Sequence, residues 1–132
     1  MKKRVILVSR KSKELNQIDA VLSKNKYRSH RIENIENLDT TLADISCNCV
    51  ILDLDSISID NRTIREVAIQ YPHIYFLCMS RDRFQPELKD ATCYHIFDCL
   101  TKPLQYDDLH YWLKCIDIET DSNPLNKTEE ED

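Results

Sequence analysis

Asp53, Ser80 and Lys102 are residues whose types and positions suit a shared chemistry. Asp53 and Ser80 directly follow apolar runs, and Lys102 follows a third run with one residue between. A carboxylate, a hydroxyl and an ammonium suit acyl-phosphate chemistry, in which the carboxylate attacks phosphorus and the other two bind the transferred oxygens. An aspartate after a strand is also a common turn former or helix cap. The assignment therefore depends on whether the three residues meet.

Five short runs rich in apolar or β-forming residues alternate with stretches of helical periodicity, which predicts an α/β fold. A helix follows each predicted strand, and the strands cover residues 4–8, 27–32, 49–54, 74–79 and 96–100. Right-handed crossovers give a parallel sheet with helices on both faces. The carboxyl ends of such strands open onto one crevice, where we expect Asp53, Ser80 and Lys102 to converge.

Two local signals concern the backbone. Ser12 is the predicted N-cap of the first helix, whose apolar stripe begins at Leu15. The sequence contains no glycine. We therefore expect any residue with positive φ to be Asn, Asp or His, which tolerate that conformation less well than glycine.

The composition is that of a single globular domain of 132 residues. No apolar run is long enough to cross a bilayer, and the apolar block after the basic N-terminus is too short for a signal peptide. We expect a cytoplasmic protein without membrane contact. The six cysteines show no CxxC spacing and are expected to be free thiols. A metal site or disulfide at Cys47 and Cys49 is a weaker alternative, because two further ligands are lacking.

Charge separates the chain into a body and a tail. Residues 119–132 hold six acids and one base and so carry the whole formal net charge of −5. We predict one domain over residues 1–118 and a disordered acidic tail over 119–132. Basic residues concentrate before residue 32, but no aromatic residues are interleaved with them, and no nucleic-acid partner is expected.

Three segments resemble the CheY-like receiver domain of bacterial two-component response regulators, over roughly residues 3–118. Residues 50–53 match the apolar strand that ends in the phosphoacceptor, residues 72–80 match the fourth strand with its terminal Thr or Ser, and residues 100–104 match the Lys-Pro signature. The resemblance implies a flavodoxin-like (βα)5 doubly wound sheet of strand order 2-1-3-4-5. It also implies Asp53 as phosphoacceptor, with Ser80 and Lys102 binding the phosphoryl group.

The sequence departs from this family after the first strand. Receivers carry two adjacent acids there that hold Mg²⁺, and this chain has Ser9 and Arg10 instead. We predict that Arg10, together with Lys102, takes the place of the metal and pairs with Asp53, an attraction of about 4 kcal/mol at an effective dielectric of 20. The alternative is an Arg10 side chain in solvent. We expect no bound cofactor, with Asp53 and Asp55 as weak candidates for Mg²⁺.

The conformational switch of the family also looks altered. A Tyr or Phe normally stands three residues before the conserved Lys, and Cys99 holds that position. The coupling of Ser80 to an aromatic side chain at this position is therefore not expected to carry over from the family. Cys99 as a redox sensor is one alternative, and a small buried filler is the safer interpretation.

These features favour a stand-alone atypical receiver, which is a signalling and protein-interaction module and not an enzyme. Its partner would be a histidine kinase or another signalling protein, bound through the predicted helix 85–94, strand 96–100 and the last helix. A homodimer is a further option. One alternative is a working receiver that accepts phosphate on Asp53. Another, of a different class, is a thiol-based redox or metal sensor.

Overall fold

A parallel sheet forms the centre of the chain. The structure is a computed structural model and describes residues 3–10, 13–57, 59–81, 96–102 and 105–122. Its strands are β1 (Lys3–Val8), β2 (Tyr27–Ile32), β3 (Cys49–Asp53), β4 (Tyr75–Ser80) and β5 (Ile96–Thr101). Their order is β2-β1-β3-β4-β5, and every neighbouring pair is parallel. The predicted flavodoxin-like α/β sheet is confirmed.

Helices connect or follow these strands. They are α1 (Leu15–Lys24), α2 (Leu38–Asp44), which a 3₁₀ turn (Ile35–Asn37) precedes, α3 (Asn61–Gln70) and α4 (Tyr106–Ser122). The Asp60 side chain accepts a hydrogen bond of 2.8 Å from the Thr63 backbone N–H and so caps α3. Within the described ranges, no helix combines the length and apolar character needed to span a bilayer.

The two faces of the sheet carry two separate hydrophobic clusters. Because side chains alternate across a strand, Val5 and Leu7 pack with α1 and α4, whereas Ile6 and Val8 pack with α2 and α3. Strand β3 is buried along its whole length. A strand covered on both faces reads as an unbroken apolar run, which is why its position was predictable.

Several predicted boundaries differ from the structure or lie outside it. The predicted N-cap Ser12, the predicted helix 85–94 and residues 123–132 fall outside the described residues. The N-cap that the structure shows for α1 is Glu14. Helix α4 runs to Ser122, past the domain boundary predicted after residue 118. The tail assignment thus stays a prediction for residues 123–132 only.

A positive φ occurs where the sequence did not suggest one. Lys26 has φ 64° in the turn between α1 and β2, so the expectation of Asn, Asp or His was wrong here. The preceding Asn25 instead ends α1, with its backbone N–H donating to Leu22 at 3.0 Å. The chain then reverses through Lys26, although a side chain with a Cβ is strained in this conformation.

We expect Lys26→Gly to raise the free energy of unfolding by about 0.5–1 kcal/mol, because glycine adopts positive φ without steric cost. Urea denaturation measures the change. The matched control is Lys24→Gly, inside the last turn of α1, which should lower stability by about 1 kcal/mol. A loss of stability in Lys26→Gly would contradict the strain.

Candidate functional site

The three residues singled out from the sequence lie at adjacent strand ends. Asp53 is the last residue of β3 and pairs in register with Met79. Ser80 ends β4, and the Lys102 backbone N–H donates to the Ser80 carbonyl at 2.9 Å just beyond β5. The predicted convergence is therefore present in the structure.

Asp53 is buried and has a partner on each carboxylate oxygen. Its Oδ1 lies 2.8 Å from the Lys102 Nζ and accepts a hydrogen bond of 3.2 Å from the Asp55 backbone N–H. Its Oδ2 accepts a hydrogen bond of 2.8 Å from the Ser9 hydroxyl, which is itself fully buried. A buried carboxylate requires such partners, because an unpaired charge in a protein interior is costly.

Lys102 lies among three carboxylates. Its Nζ is 2.8 Å from Asp53 Oδ1, 2.8 Å from Glu14 Oε2 and 3.1 Å from Asp55 Oδ2. An ammonium carries three N–H donors, so these contacts match its whole donor capacity. Its side chain is 7% exposed, and burial alone would lower its pKa. Hydrogen bonds to Asp53, Glu14 and Asp55 outweigh burial, and the pKa of Lys102 is raised.

Glu14 is the functional residue that the sequence analysis missed. It stands at the N-cap of α1, where its side chain caps no backbone N–H. Its carboxylate instead joins Lys102 Nζ and the Arg81 guanidinium. The hydrogen bond from Lys102 lowers the pKa of Glu14, burial opposes this, and Arg81 lowers it further. Glu14 is a charged residue beside the apolar stripe of α1, and nothing in the sequence indicates that its side chain points into the cleft.

The predicted ion pair between Arg10 and Asp53 is wrong. Arg10 is exposed, and the described residues provide no ion pair between its guanidinium and Asp53. Its backbone N–H donates to the Ser56 hydroxyl at 3.1 Å. The Ser9 side chain points into the cleft, so the side chain of the next residue, Arg10, points to solvent. This was the alternative expectation for Arg10. The positive charge beside Asp53 is Lys102.

Asp55 lies against the ends of β4 and β5. Its Oδ1 accepts a long hydrogen bond of 3.4 Å from the Ser80 hydroxyl, and its Oδ2 accepts one of 2.9 Å from the Arg81 backbone N–H. Cys99, the predicted switch residue, lies in β5, and its backbone pairs in register with Cys78 of β4. Its side chain lies outside the described part of the structure.

Four thiols lie in the described residues. Cys47, Cys49, Cys78 and Cys115 form no disulfide with one another. Burial is the largest cause that raises the pKa of Cys47 and of Cys49. Since the thiolate is the reactive form, this weighs against a redox or metal-sensing role for these two residues.

Comparisons with known proteins give structural matches only. No protein-family model matches the chain, and no curated protein does. A signal receiver domain of an HD domain-containing protein from Pseudomonas fluorescens superposes with a TM-score of 0.78 at 20% identity, over 93% of this chain and 100% of that one. The chain has the receiver fold.

Two further structures agree with this fold. A response regulator from Thermotoga maritima has a TM-score of 0.72 at 18% identity, with 88% of this chain and 98% of that chain covered. The receiver domain of a sensor histidine kinase from Pseudomonas aeruginosa has a TM-score of 0.70 at 16% identity, with 86% and 96% covered. The latter structure carries a magnesium ion in its active-site cleft.

The residues of the cleft do not fit a magnesium site of the kind that the receiver resemblance implies. Carboxylates are the ligands that Mg²⁺ prefers. After β1, however, the chain supplies the Ser9 hydroxyl, which donates to Asp53, and the exposed Arg10. The carboxylates that are present all face the Lys102 ammonium. In the described residues, no group of three or more His, Cys, Asp or Glu is arranged to hold a metal ion.

We expect Lys102→Met to lower the free energy of unfolding by about 3 kcal/mol, because it leaves the buried Asp53 carboxylate without its counter-charge. The double variant Lys102→Met/Asp53→Asn should lose less, since no unpaired charge remains. Lys114→Met, at an exposed position on α4, is the matched control and should stay within about 0.5 kcal/mol of wild type. Urea denaturation of wild type, Lys102→Met, Asp53→Asn and the double variant gives the coupling energy, and additive losses would contradict a direct pair.

We expect the pKa of the Glu14 carboxyl to lie below its usual value and to rise in Lys102→Met, with a smaller rise in Arg81→Met. Carbon-detected NMR titration measures the Glu14 pKa in wild type, in Lys102→Met and in Arg81→Met. Since the folded-state pKa is lowered, the stability that Glu14 contributes is present above its usual pKa and is lost as pH falls through the lowered one. Glu14→Gln should remove this acid-dependent loss, and Lys114→Met should leave the Glu14 titration unchanged. An unshifted Glu14 would contradict the three-carboxylate arrangement.

Proposed function

We propose that this chain is an atypical receiver, a signalling module that acts by binding a protein partner and not by catalysis. In this proposal Asp53 is not phosphorylated in the usual Mg²⁺-dependent way. The observation that carries it is the Lys102 ammonium, which already lies within 3.1 Å of three carboxylates. The receiver fold supports the signalling role, and the charges of the cleft argue for the atypical mode.

The electrostatic argument concerns what a metal ion would have to replace. Mg²⁺ loses its water reluctantly and binds where carboxylates offset that cost in octahedral geometry. In this cleft Asp53 Oδ1 faces Lys102 Nζ at 2.8 Å, and Asp53 Oδ2 faces the Ser9 hydroxyl at 2.8 Å. A metal ion would have to displace one of these partners and approach the ammonium. Two cations in one small pocket repel each other strongly at low dielectric.

The partner that we propose is a histidine kinase or another signalling protein. Similar folds occur in a response regulator and in a sensor histidine kinase. The described part of the candidate docking face consists of β5 and α4, where Tyr106 and Tyr111 are exposed. Tyr106 stacks on His110, with ring centroids 5.3 Å apart. Exposed aromatic side chains are enriched at protein interfaces, which supports β5 and α4 as the docking surface in this proposal.

A second candidate function is a working receiver that accepts phosphate on Asp53. The positions of Asp53, Ser80 and Lys102 at three adjacent strand ends favour it, because these residue types suit phosphoryl transfer. Mg²⁺ would then be held weakly by Asp53, Asp55 and water. The two candidates differ in one observable outcome, which is the covalent modification of Asp53.

Intact-protein mass spectrometry after incubation with Mg²⁺ and acetyl phosphate separates the two candidates. We expect wild type to keep its mass, while a receiver that is known to accept this donor serves as the positive control. Ser9→Asp/Arg10→Asp restores two acids after β1, and we expect it to gain a phosphoryl group that wild type does not gain. A gain of one phosphoryl group by wild type, removed by Asp53→Asn, would establish the second candidate and end the first.

A further inference from the structure

Three hydrogen-bond donors converge on the Asp55 carboxylate. The Ser80 hydroxyl donates to Oδ1 at 3.4 Å, and the Arg81 backbone N–H donates to Oδ2 at 2.9 Å. The Lys102 ammonium lies 3.1 Å from the same Oδ2. A hydroxyl, an amide and an ammonium are thus directed at one anion.

The three donors lie at the ends of β4 and β5. Ser80 and Arg81 follow each other at the end of β4, and the Ser80 hydroxyl side chain is fully buried. Lys102 is tied to the same point, because its backbone N–H donates to the Ser80 carbonyl at 2.9 Å. Asp53 and Glu14 also contact the Lys102 ammonium, so the three donors form a cradle with contacts besides those to Asp55.

Asp55 is held so that its carboxylate can fill this cradle. Its own backbone N–H donates to Asp53 Oδ1 at 3.2 Å. The backbone N–H groups of Ser56 and Ile57 donate to the Asp53 carbonyl at 3.2 and 3.1 Å and close the turn. The side chain of Asp55 is 24% exposed, so it covers the cradle from the solvent side.

We propose that Asp55 is a built-in anion that occupies an oxyanion site formed by Ser80, Arg81 and Lys102. Removing its carboxylate opens the site to a free tetrahedral oxyanion, for which inorganic phosphate is the probe. The inference deepens the proposed function, on which it rests: a cleft that supplies its own anion at this site needs no phosphoryl group to satisfy the donors. A carboxylate and a phosphate both form short, charge-assisted hydrogen bonds with such donors.

The test is made in proteins that lack the Asp53 carboxylate. Asp53→Asn removes a negative charge that would repel phosphate. It also removes the candidate phosphoacceptor, so covalent phosphorylation of Asp53 cannot contribute to the signal. Phosphate is titrated without Mg²⁺ at constant ionic strength, and the Arg81 amide is followed by NMR. Asp53→Asn is compared with Asp53→Asn/Asp55→Ala and with Asp53→Asn/Asp55→Ser, which keeps a turn-forming side chain.

We expect both double variants to bind phosphate at least about tenfold more tightly than Asp53→Asn, with a saturable shift of the Arg81 amide. Adding Ser80→Ala to the better-folded double variant should weaken binding. Equal affinity in Asp53→Asn and the double variants would overturn the proposal, because Asp55 would then not occupy the site. Absence of binding in a folded double variant would overturn it too. Neither outcome depends on whether wild-type Asp53 accepts phosphate, which is tested separately by mass.

Discussion

The contact between one buried ammonium and three carboxylates organises this cleft. Moving Lys102 out of water carries a desolvation penalty of several kcal/mol, which only close anionic partners offset. Asp53, Asp55 and Glu14 supply these partners at 2.8–3.1 Å. They come from the end of β3, from the turn after it and from the start of α1, so a single side chain joins three parts of the fold to the end of β5.

This arrangement requires the carboxyl ends of β3, β4 and β5 to be aligned in register. The Lys102 backbone N–H continues the ladder to the Ser80 carbonyl, and the Leu54 backbone N–H continues the ladder to the Met79 carbonyl at 3.0 Å. Both contacts lie at the carboxyl edge of the sheet, where parallel strands open onto the crevice. The polar cleft thus depends on the two apolar clusters that hold the sheet, although none of its own residues belongs to them.

The fold and the convergence of Asp53, Ser80 and Lys102 were predictable, because apolar periodicity sets the strands and parallel strands align their ends. The remaining partners were not. Glu14 contacts Lys102 because of the direction of its side chain, which residue spacing does not specify. The Arg10 side chain is exposed to solvent, although charge alone favoured a pair with Asp53. Lys26 takes a positive φ because the turn geometry prevails over residue preference. Long polar side chains have several accessible directions, and only the assembled neighbours select one.

The most direct measurement is a crystal structure obtained with magnesium and beryllofluoride, which together report on both a metal site and a phosphoryl site at Asp53. The account predicts that Lys102 still contacts Asp53, Asp55 and Glu14 and that no metal is bound at Asp53. A magnesium ion liganded by Asp53, with beryllofluoride on its carboxylate and Lys102 turned toward the fluorides, would contradict it.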